Sequence, residues 1–470
     1  MPEALADNLL LILLSHQRPD VLGHEQRGGI STPGADRLAE EGTRFTRAFT
    51  PVTLGSPARA SLFTGLLPHR HRVLENCPQR GDLPIWLEES LLALPIGLSA
   101  AGISTGYVGD WPLRETARGP AKGFSDWVWT LTKQSEYARE IRDKRVPTGN
   151  LPGGAPPFFA VSRTPTEFTK PAYLVRRAAE ILERHAAAGT RFALTVALPG
   201  PRYPHEVPEP YASMFKPADV PLPVSRGDDP AGRLSWHRRT SVPAETDEVP
   251  WEHGRMLGED ALRRTIAAYL GNVLLIDHCV ADLLGHLDEF RLSERTLVVY
   301  ASDLGEFLGS HGLFGTGPFA YDEVLRVPLL VRQPGYVAPG VVRGEFASLL
   351  DLAPTTFEWL GLPVPPGLDG RSLSPMLMND PAPADWPDAA YGQYHRLAGK
   401  PYPLRWIRTS THAYAFSPDG GEELYDLAKD PEERKNLAAD PAARPARESL
   451  RKRLFARLHA TGDPLESAGP

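Results

Sequence analysis

The chain has 470 residues, 41% of them hydrophobic and 23% charged, with a formal net charge of −7. That length exceeds what one core usually organises, so one large and one small domain are expected. The charge shows no long like-charge runs, which argues against a nucleic-acid partner. Cys77 and Cys279 are the only cysteines, so there is no disulfide framework or zinc ribbon.

In chain order, Leu9–Leu14 is a continuous apolar run. It is too short to span a membrane and lacks the flanks of a signal peptide, so it reads as a buried strand. A cytoplasmic protein with no membrane association is expected. Thr32-Pro33 opens a helix through Leu38 that stops at Gly42. Phe45–Phe49 leads into the stretch Val52–Val73. There Leu54-Gly55-Ser56 reads as a short loop and Pro57 as the start of a helix. The helix runs through Ala58–Leu67, with Gly65 and Pro68 marking its end. A loop feeding a helix N-terminus offers free N–H groups to an anion, and Arg59 stands in the first turn.

Leu83–Ala101 has a helical pattern and Thr105–Val108 that of a strand. Residues 146–157 are rich in Pro and Gly and read as a surface loop. Ala172–Ala188 is an amphipathic helix and Phe192–Leu198 a buried strand. Pro201–Pro250 is polar and Pro-rich, a long excursion over one face. Leu262–Leu287 and Leu349–Leu360 read as helices, Thr296–Ala301 and Val327–Val331 as strands. This alternation predicts an α/β sandwich around a large, mostly parallel sheet, in a domain of residues 1–375. From 376 to 470 the pattern changes. Arg405–Thr409, Tyr414–Phe416 and Leu424–Leu427 form a small antiparallel meander. A last helix then carries Leu450, Leu454 and Leu458 on one face.

Several of these stretches resemble the sulfatase family of the alkaline phosphatase superfamily, close to its phosphonate monoester hydrolase and choline-sulfatase-like branch. Ser56-Pro57-Ala58-Arg59 with Thr64-Gly65 matches the family signature. Glu423–Leu427, Asp430-Pro431 and Asn436-Leu437 match its C-terminal motif. The resemblance implies an alkaline-phosphatase-like fold and allows a homo-oligomer. It also implies a Cys or Ser oxidised to formylglycine, calcium in a carboxylate cage, and Lys and His groups gripping the ester.

The chain departs from that pattern at nearly every such position. The nucleophile position is Gly55, which has no side-chain atom to oxidise. The first carboxylate pair is Ser15-His16, and the second keeps Asp303 but has Leu304 beside it. Gly-Lys-Trp-His is replaced by Gly109-Asp110-Trp111-Pro112. A Pro-His becomes Pro201-Arg202, and a Gly-Lys-Gly becomes Gly315-Thr316-Gly317. One carboxylate does not hold calcium well. No cofactor is therefore expected, and the reading is a pseudoenzyme that binds an anionic small molecule or a protein partner.

Other readings stay open. Ser56 is a candidate substitute nucleophile if His16 serves as its base, although it also suits an N-cap. His16 and Asp303, with His205 swinging in, are candidate ligands for a transition metal such as zinc. Arg59 and Arg202 are candidate anion-binding residues, unless Arg59 pairs with Asp303 or Asp110. His69, His71 and His311 read as structural. Cys77, in Asn76-Cys77-Pro78-Gln79-Arg80, echoes the signature without starting a helix.

Overall fold

The computed structural model describes residues 4–25, 30–79, 86–113, 121–128, 135–151, 158–238 and 257–468. Parts of three expected segments lie outside them: the start of the 83–101 helix, residues 152–157 of the Pro/Gly loop and residues 239–250 of the polar excursion.

The large sheet has eight strands in the order β10-β2-β9-β8-β1-β6-β3-β4. They are β1 (Asn8–Leu14), β2 (Thr43–Phe49), β3 (Ser104–Gly109), β4 (Asp126–Val128), β6 (Phe192–Ala197), β8 (Thr296–Ser302), β9 (Leu329–Arg332) and β10 (Val341–Ser348). All neighbours are parallel except β9, which runs antiparallel to both β2 and β8. A second, two-stranded sheet pairs β5 (Phe159–Ser162) with β7 (His205–Pro208).

β1 lies between β6 and β8, and every one of its residues is buried. Its side chains alternate between two cores, as the strand period of two requires. Leu10, Ile12 and Leu14 face one layer, with α1 (Pro33–Glu40), α6 (Lys170–Ala188) and α7 (Glu259–Glu289). Leu9, Leu11 and Leu13 face the other, with α2 (Gly55–Thr64), α4 (Ala93–Ala100) and α9 (Leu352–Trp359). α7 is long and apolar enough to cross a membrane, but 72% of its apolar window is buried inside the protein. It is a core helix here, packed on α1 and α6.

The C-terminal sheet is antiparallel, in the order β11-β12-β13-β14. Its strands are β11 (Ala389–Leu397), β12 (Lys400–Thr409), β13 (His412–Ser417) and β14 (Gly421–Asp426). The helix Arg444–Thr461 covers one face through Leu450, Leu454, Phe455 and Leu458. Trp406, Tyr394 and Tyr425 pack from this sheet against Phe49, Val52, Leu54 and Ala58 at the start of α2. Arg405 ties the sheet to the end of the last helix by a bidentate pair with Asp463, at 2.7 and 2.9 Å.

Two sequence expectations need correction. Among the described residues the 83–101 helix is confined to Ala93–Ala100 after a 3-10 turn at Glu89–Leu91. Its third residue is Pro95, whose missing N–H is tolerated only in a first turn. The helix in the signature stretch begins at Gly55 rather than Pro57, and ends at Thr64 rather than Leu67. Gly65 closes it in the left-handed region (φ 69°) as expected.

Candidate active site

The sequence-derived candidates gather where strands of the large sheet end. Leu14 of β1 lies beside Ser302 of β8, so Ser15-His16 and Asp303-Leu304 leave the sheet side by side. Gly109 of β3 lies beside Ala197 of β6, which brings the Asp110–Pro112 loop near Gly200-Pro201. Ser15 N–H donates to the Gly200 carbonyl at 3.1 Å, and Asp303 N–H to the Leu14 carbonyl at 3.0 Å.

α2 enters this rim with part of its N-terminus already bonded within the chain. Its N-cap is Leu54, and Gly55 and Ser56 are its first two residues. Ser56 is therefore not an N-cap. Its N–H donates instead to Asn76 Oδ1 at 3.1 Å. Its hydroxyl donates to the Pro112 carbonyl at 3.0 Å and accepts from the Cys77 N–H at 3.1 Å. Pro57 has no N–H, and Ala58 N–H bonds to the Leu54 carbonyl at 2.9 Å. Much of the anion-binding capacity of this helix end is thus consumed internally. Ser56 is 2% exposed, engaged twice through its oxygen, and among the described residues bonded to neither His16 nor any other imidazole.

At Gly55 there is room. A Cβ built there would meet only Asn76 Oδ1 and Asp303 Oδ2, each at 3.9 Å, within ordinary contact distance. A side chain at this position would therefore project toward the Asp303 carboxylate.

Asp303 is fully buried and bonded to Arg59: Nε donates to Oδ2 at 2.8 Å. Arg59, 7% exposed, also donates through Nη1 to the Tyr107 hydroxyl at 3.2 Å and to the Asp110 carbonyl at 2.9 Å. Burial works against the guanidinium charge, but Tyr107, Asp303 and Asp110 outweigh it, and its pKa rises. Burial pushes the Tyr107 hydroxyl up to about 12, so it stays neutral. Asp303 Oδ1 is buried without a hydrogen-bond partner.

His16 pairs elsewhere. Its Nδ1 lies 2.8 Å from Glu306 Oε2, and its backbone is left-handed, with φ 64°. The Tyr269 hydroxyl donates to its carbonyl at 2.9 Å. Glu306 is 1% exposed. Burial pushes its carboxyl up, but His16 and His205 more than reverse this and leave it below the usual range. His205 is also buried, with Nδ1 unpartnered, and burial lowers its pKa to about 4.

The remaining candidates are scattered. Arg202 is exposed while Arg59 is interior, so the structure does not show the two sharing one anion. Asp110 is half-buried, and Leu304 is buried. Thr316 is half-buried in a turn held by Phe307 N–H on the Gly315 carbonyl at 3.1 Å and by the Thr53 hydroxyl on the Gly317 carbonyl at 2.6 Å. Trp111 packs on Tyr107, ring centroids 4.8 Å apart. His69 bonds Gln393 and the Thr461 carbonyl, and His71 lies 3.0 Å from the Ser61 hydroxyl. His311 stacks on Tyr321 and lies 3.0 Å from an Arg233 nitrogen. Sequence reasoning missed Glu306, Tyr107 and Asn76. Glu306 alone had a signal: a carboxylate two residues past Leu304, in the same loop.

The family profile described as Sulfatase matches residues 7–362. The chain belongs to the sulfatase family. A second profile, N-sulphoglucosamine sulphohydrolase, C-terminal, matches residues 309–460. The chain is 30% identical to the multifunctional alkaline phosphatase superfamily protein PehA of Trinickia caryophylli, over 96% of this chain and 95% of that one. It superposes on the phosphonate monoester hydrolase of Agrobacterium radiobacter with TM-score 0.79 at 26% identity, covering 97% and 96% of the two chains. The phosphonate monoester hydrolase of Silicibacter pomeroyi gives TM-score 0.81 at 23% identity, covering 97% and 95%. The alkaline-phosphatase-like α/β fold is therefore established.

The calcium that sulfatase-family membership implies can be tested against the donors present. A hard divalent cation wants about six oxygens, several of them carboxylate. Here Asp303 offers one free oxygen, while its other is bonded to Arg59. Gly55 and Leu304 offer no side-chain oxygen, and the His16 ring is turned to Glu306. Among the described residues no three His, Cys, Asp or Glu side chains are grouped so as to hold a metal ion. This donor set does not fit calcium, and the proposed grouping of His16, Asp303 and His205 around zinc is not formed.

Proposed function

We propose that this sulfatase-family chain has given up sulfate- and phosphonate-ester hydrolysis and acts by binding. The carrying observation is the buried Arg59–Asp303 pair, formed 3.9 Å from where a nucleophile's Cβ would stand. Formylglycine chemistry needs a side chain at Gly55 and a cation on Asp303. This site has neither the atom nor a competent cage, and a guanidinium holds the carboxylate instead. Between an anionic small molecule and a protein partner, the geometry favours the partner. Arg59 and the Ser56 N–H, the natural donors for an anion, are engaged within the chain.

The test is turnover of 4-nitrophenyl sulfate and of a phenyl phosphonate monoester, with calcium, manganese or zinc added. The expected rate equals that of buffer. Turnover well above buffer that disappears in Arg59→Ala would overturn the reading.

One observation favours a second reading, an ester hydrolase with repurposed chemistry. A buried carboxylate, Glu306, holds His16 Nδ1, an arrangement that orients an imidazole as a base. Hydrolysis that persists in excess chelator and is lost in His16→Asn would support it. Asn is chosen because it tolerates the left-handed backbone there.

A further inference from the structure

Residues 74–79 lie against the N-terminus of α2 where the family nucleophile would stand. Asn76 Oδ1 accepts from Ser56 N–H at 3.1 Å and sits 3.9 Å from a Cβ at Gly55. The next residue, Cys77, donates its N–H to the Ser56 hydroxyl at 3.1 Å. The segment is closed at its base. Gln79 Oε1 accepts from Leu74 N–H at 3.2 Å, and Gln79 Nε2 donates to the Arg72 carbonyl at 3.2 Å. Val73 and Gln79 are buried, whereas Asn76 and Pro78 are exposed. A loop with anchored ends and a solvent-exposed tip opens locally at low cost.

The tip has a second attachment, far away in sequence. Glu75 is 3% exposed and its Oε2 accepts from the Gly399 N–H at 2.8 Å. Gly399 belongs to the turn between β11 and β12, where Ala398 and Gly399 are both left-handed (φ 52° and 78°). The C-terminal sheet, which already packs on the start of α2 through Trp406 and Tyr394, therefore also reaches residues 74–79 through the Glu75 carboxylate. Cys77 rides on the same segment, half-buried, with burial raising its thiol to about 12 despite a bond to Ser56.

We propose that residues 74–79 form a strap laid over Gly55, and that the β11–β12 turn helps to hold it there through Glu75. Displacing that turn releases the strap and exposes the Ser56 N–H, the Gly55 recess and the Asp303 carboxylate beneath it. This device goes beyond the loss of hydrolysis proposed above and does not depend on it.

The two cysteines provide the readout. Cys77 reports the strap, and Cys279, buried in α7, reports the body of the fold. Labelling of the native protein with a maleimide is followed by peptide mass spectrometry. Wild-type Cys77 is expected to react far more slowly than a free thiol. Glu75→Ala and Asn76→Ala should each speed Cys77 tenfold or more and leave Cys279 unchanged. Glu75→Gln, which keeps the acceptor, should stay near the wild-type rate. Asn76 is exposed, so its variant folds even if Glu75→Ala does not. Three results would each overturn the proposal: fast labelling of wild-type Cys77, unchanged Cys77 in Asn76→Ala, or Cys77 and Cys279 accelerating together.

Discussion

Arg59 and Asp303, 244 residues apart, form a buried ion pair with Nε 2.8 Å from Oδ2. One comes from the first turns of α2 and the other from the end of β8, so the pair ties two rim loops together. Removing one partner leaves the other charge buried and unpaired. Asp303→Asn or Arg59→Ala should cost about 3–5 kcal/mol. Replacing both together, as Arg59→Met with Asp303→Leu, should cost much less than the sum. Urea midpoints of the two singles and the double check this.

Gly55 offers the opposite case. The nearest foreign atoms to a built Cβ are 3.9 Å away, so Gly55→Ala should fit without strain. It should stabilise by about 0.4–1 kcal/mol, because alanine has less freedom to lose on folding. Gly55→Cys should fold equally well. Even when converted to formylglycine by the maturing enzyme, it should show no sulfatase activity, since the cation cage is still lacking. Mass spectrometry confirms conversion and a 4-nitrophenyl sulfate assay reads the outcome.

His205 makes stability depend on pH. Burial lowers its folded-state pKa from 6.5 to about 4, with Glu306 pulling it up and His16 pushing it down. The unfolded chain takes up its proton near pH 6.5 and the folded chain does not until about 4. This contribution is therefore present above pH 6.5 and lost as pH falls from there to 4, by about 1.4 kcal/mol per pH unit. His71, lowered by burial to about 3, acts in the same direction. His205→Gln should flatten the urea midpoint between pH 6.5 and 4 by that one-proton slope.

At the other end of the chain, Asp463 accepts from Arg405 and from Gln393 Nε2, the latter at 2.5 Å, and is fully buried. Asp463→Asn should leave the Arg405 charge underpaired and cost about 3–5 kcal/mol. The C-terminal helix should then loosen first. Limited proteolysis of the variant is expected to cut after residue 440 before it touches the large sheet.

The centre of the sheet was legible because its strands are buried on both faces, whereas the part-exposed edge strands β4 and β10 were not. Leu9–Leu14, Thr296–Ala301 and Phe192–Leu198 each read as mostly apolar runs of strand length rich in β-branched and aromatic or aliphatic residues. β11 was not legible. Its alternation is broken by Gly392 and by Gln393, a polar residue buried at 3% because it bonds His69 and Asp463. Pro57 misled, because a proline suits several early helix positions. The chain chose Leu54 as N-cap, since Asn76 supplies the missing acceptor from twenty residues away. Arg59 with Asp303 could be anticipated because the family resemblance places these opposite charges, from two separate motifs, in one pocket. His16 with Glu306 was missed because Glu306 stands outside the matched motif, although it follows Leu304 by two residues in the same loop.

The large sheet stops just short of the candidate residues. Ser15 and Asp303 are held by their own backbone N–H groups, on the carbonyls of Gly200 and Leu14, and any residue but proline supplies such a group. The ladder is therefore indifferent to which side chains stand at its rim. Positions without a buried pair such as that of Asp303 can change while the scaffold still folds, so inheritance of this architecture and inheritance of a chemistry are separate events.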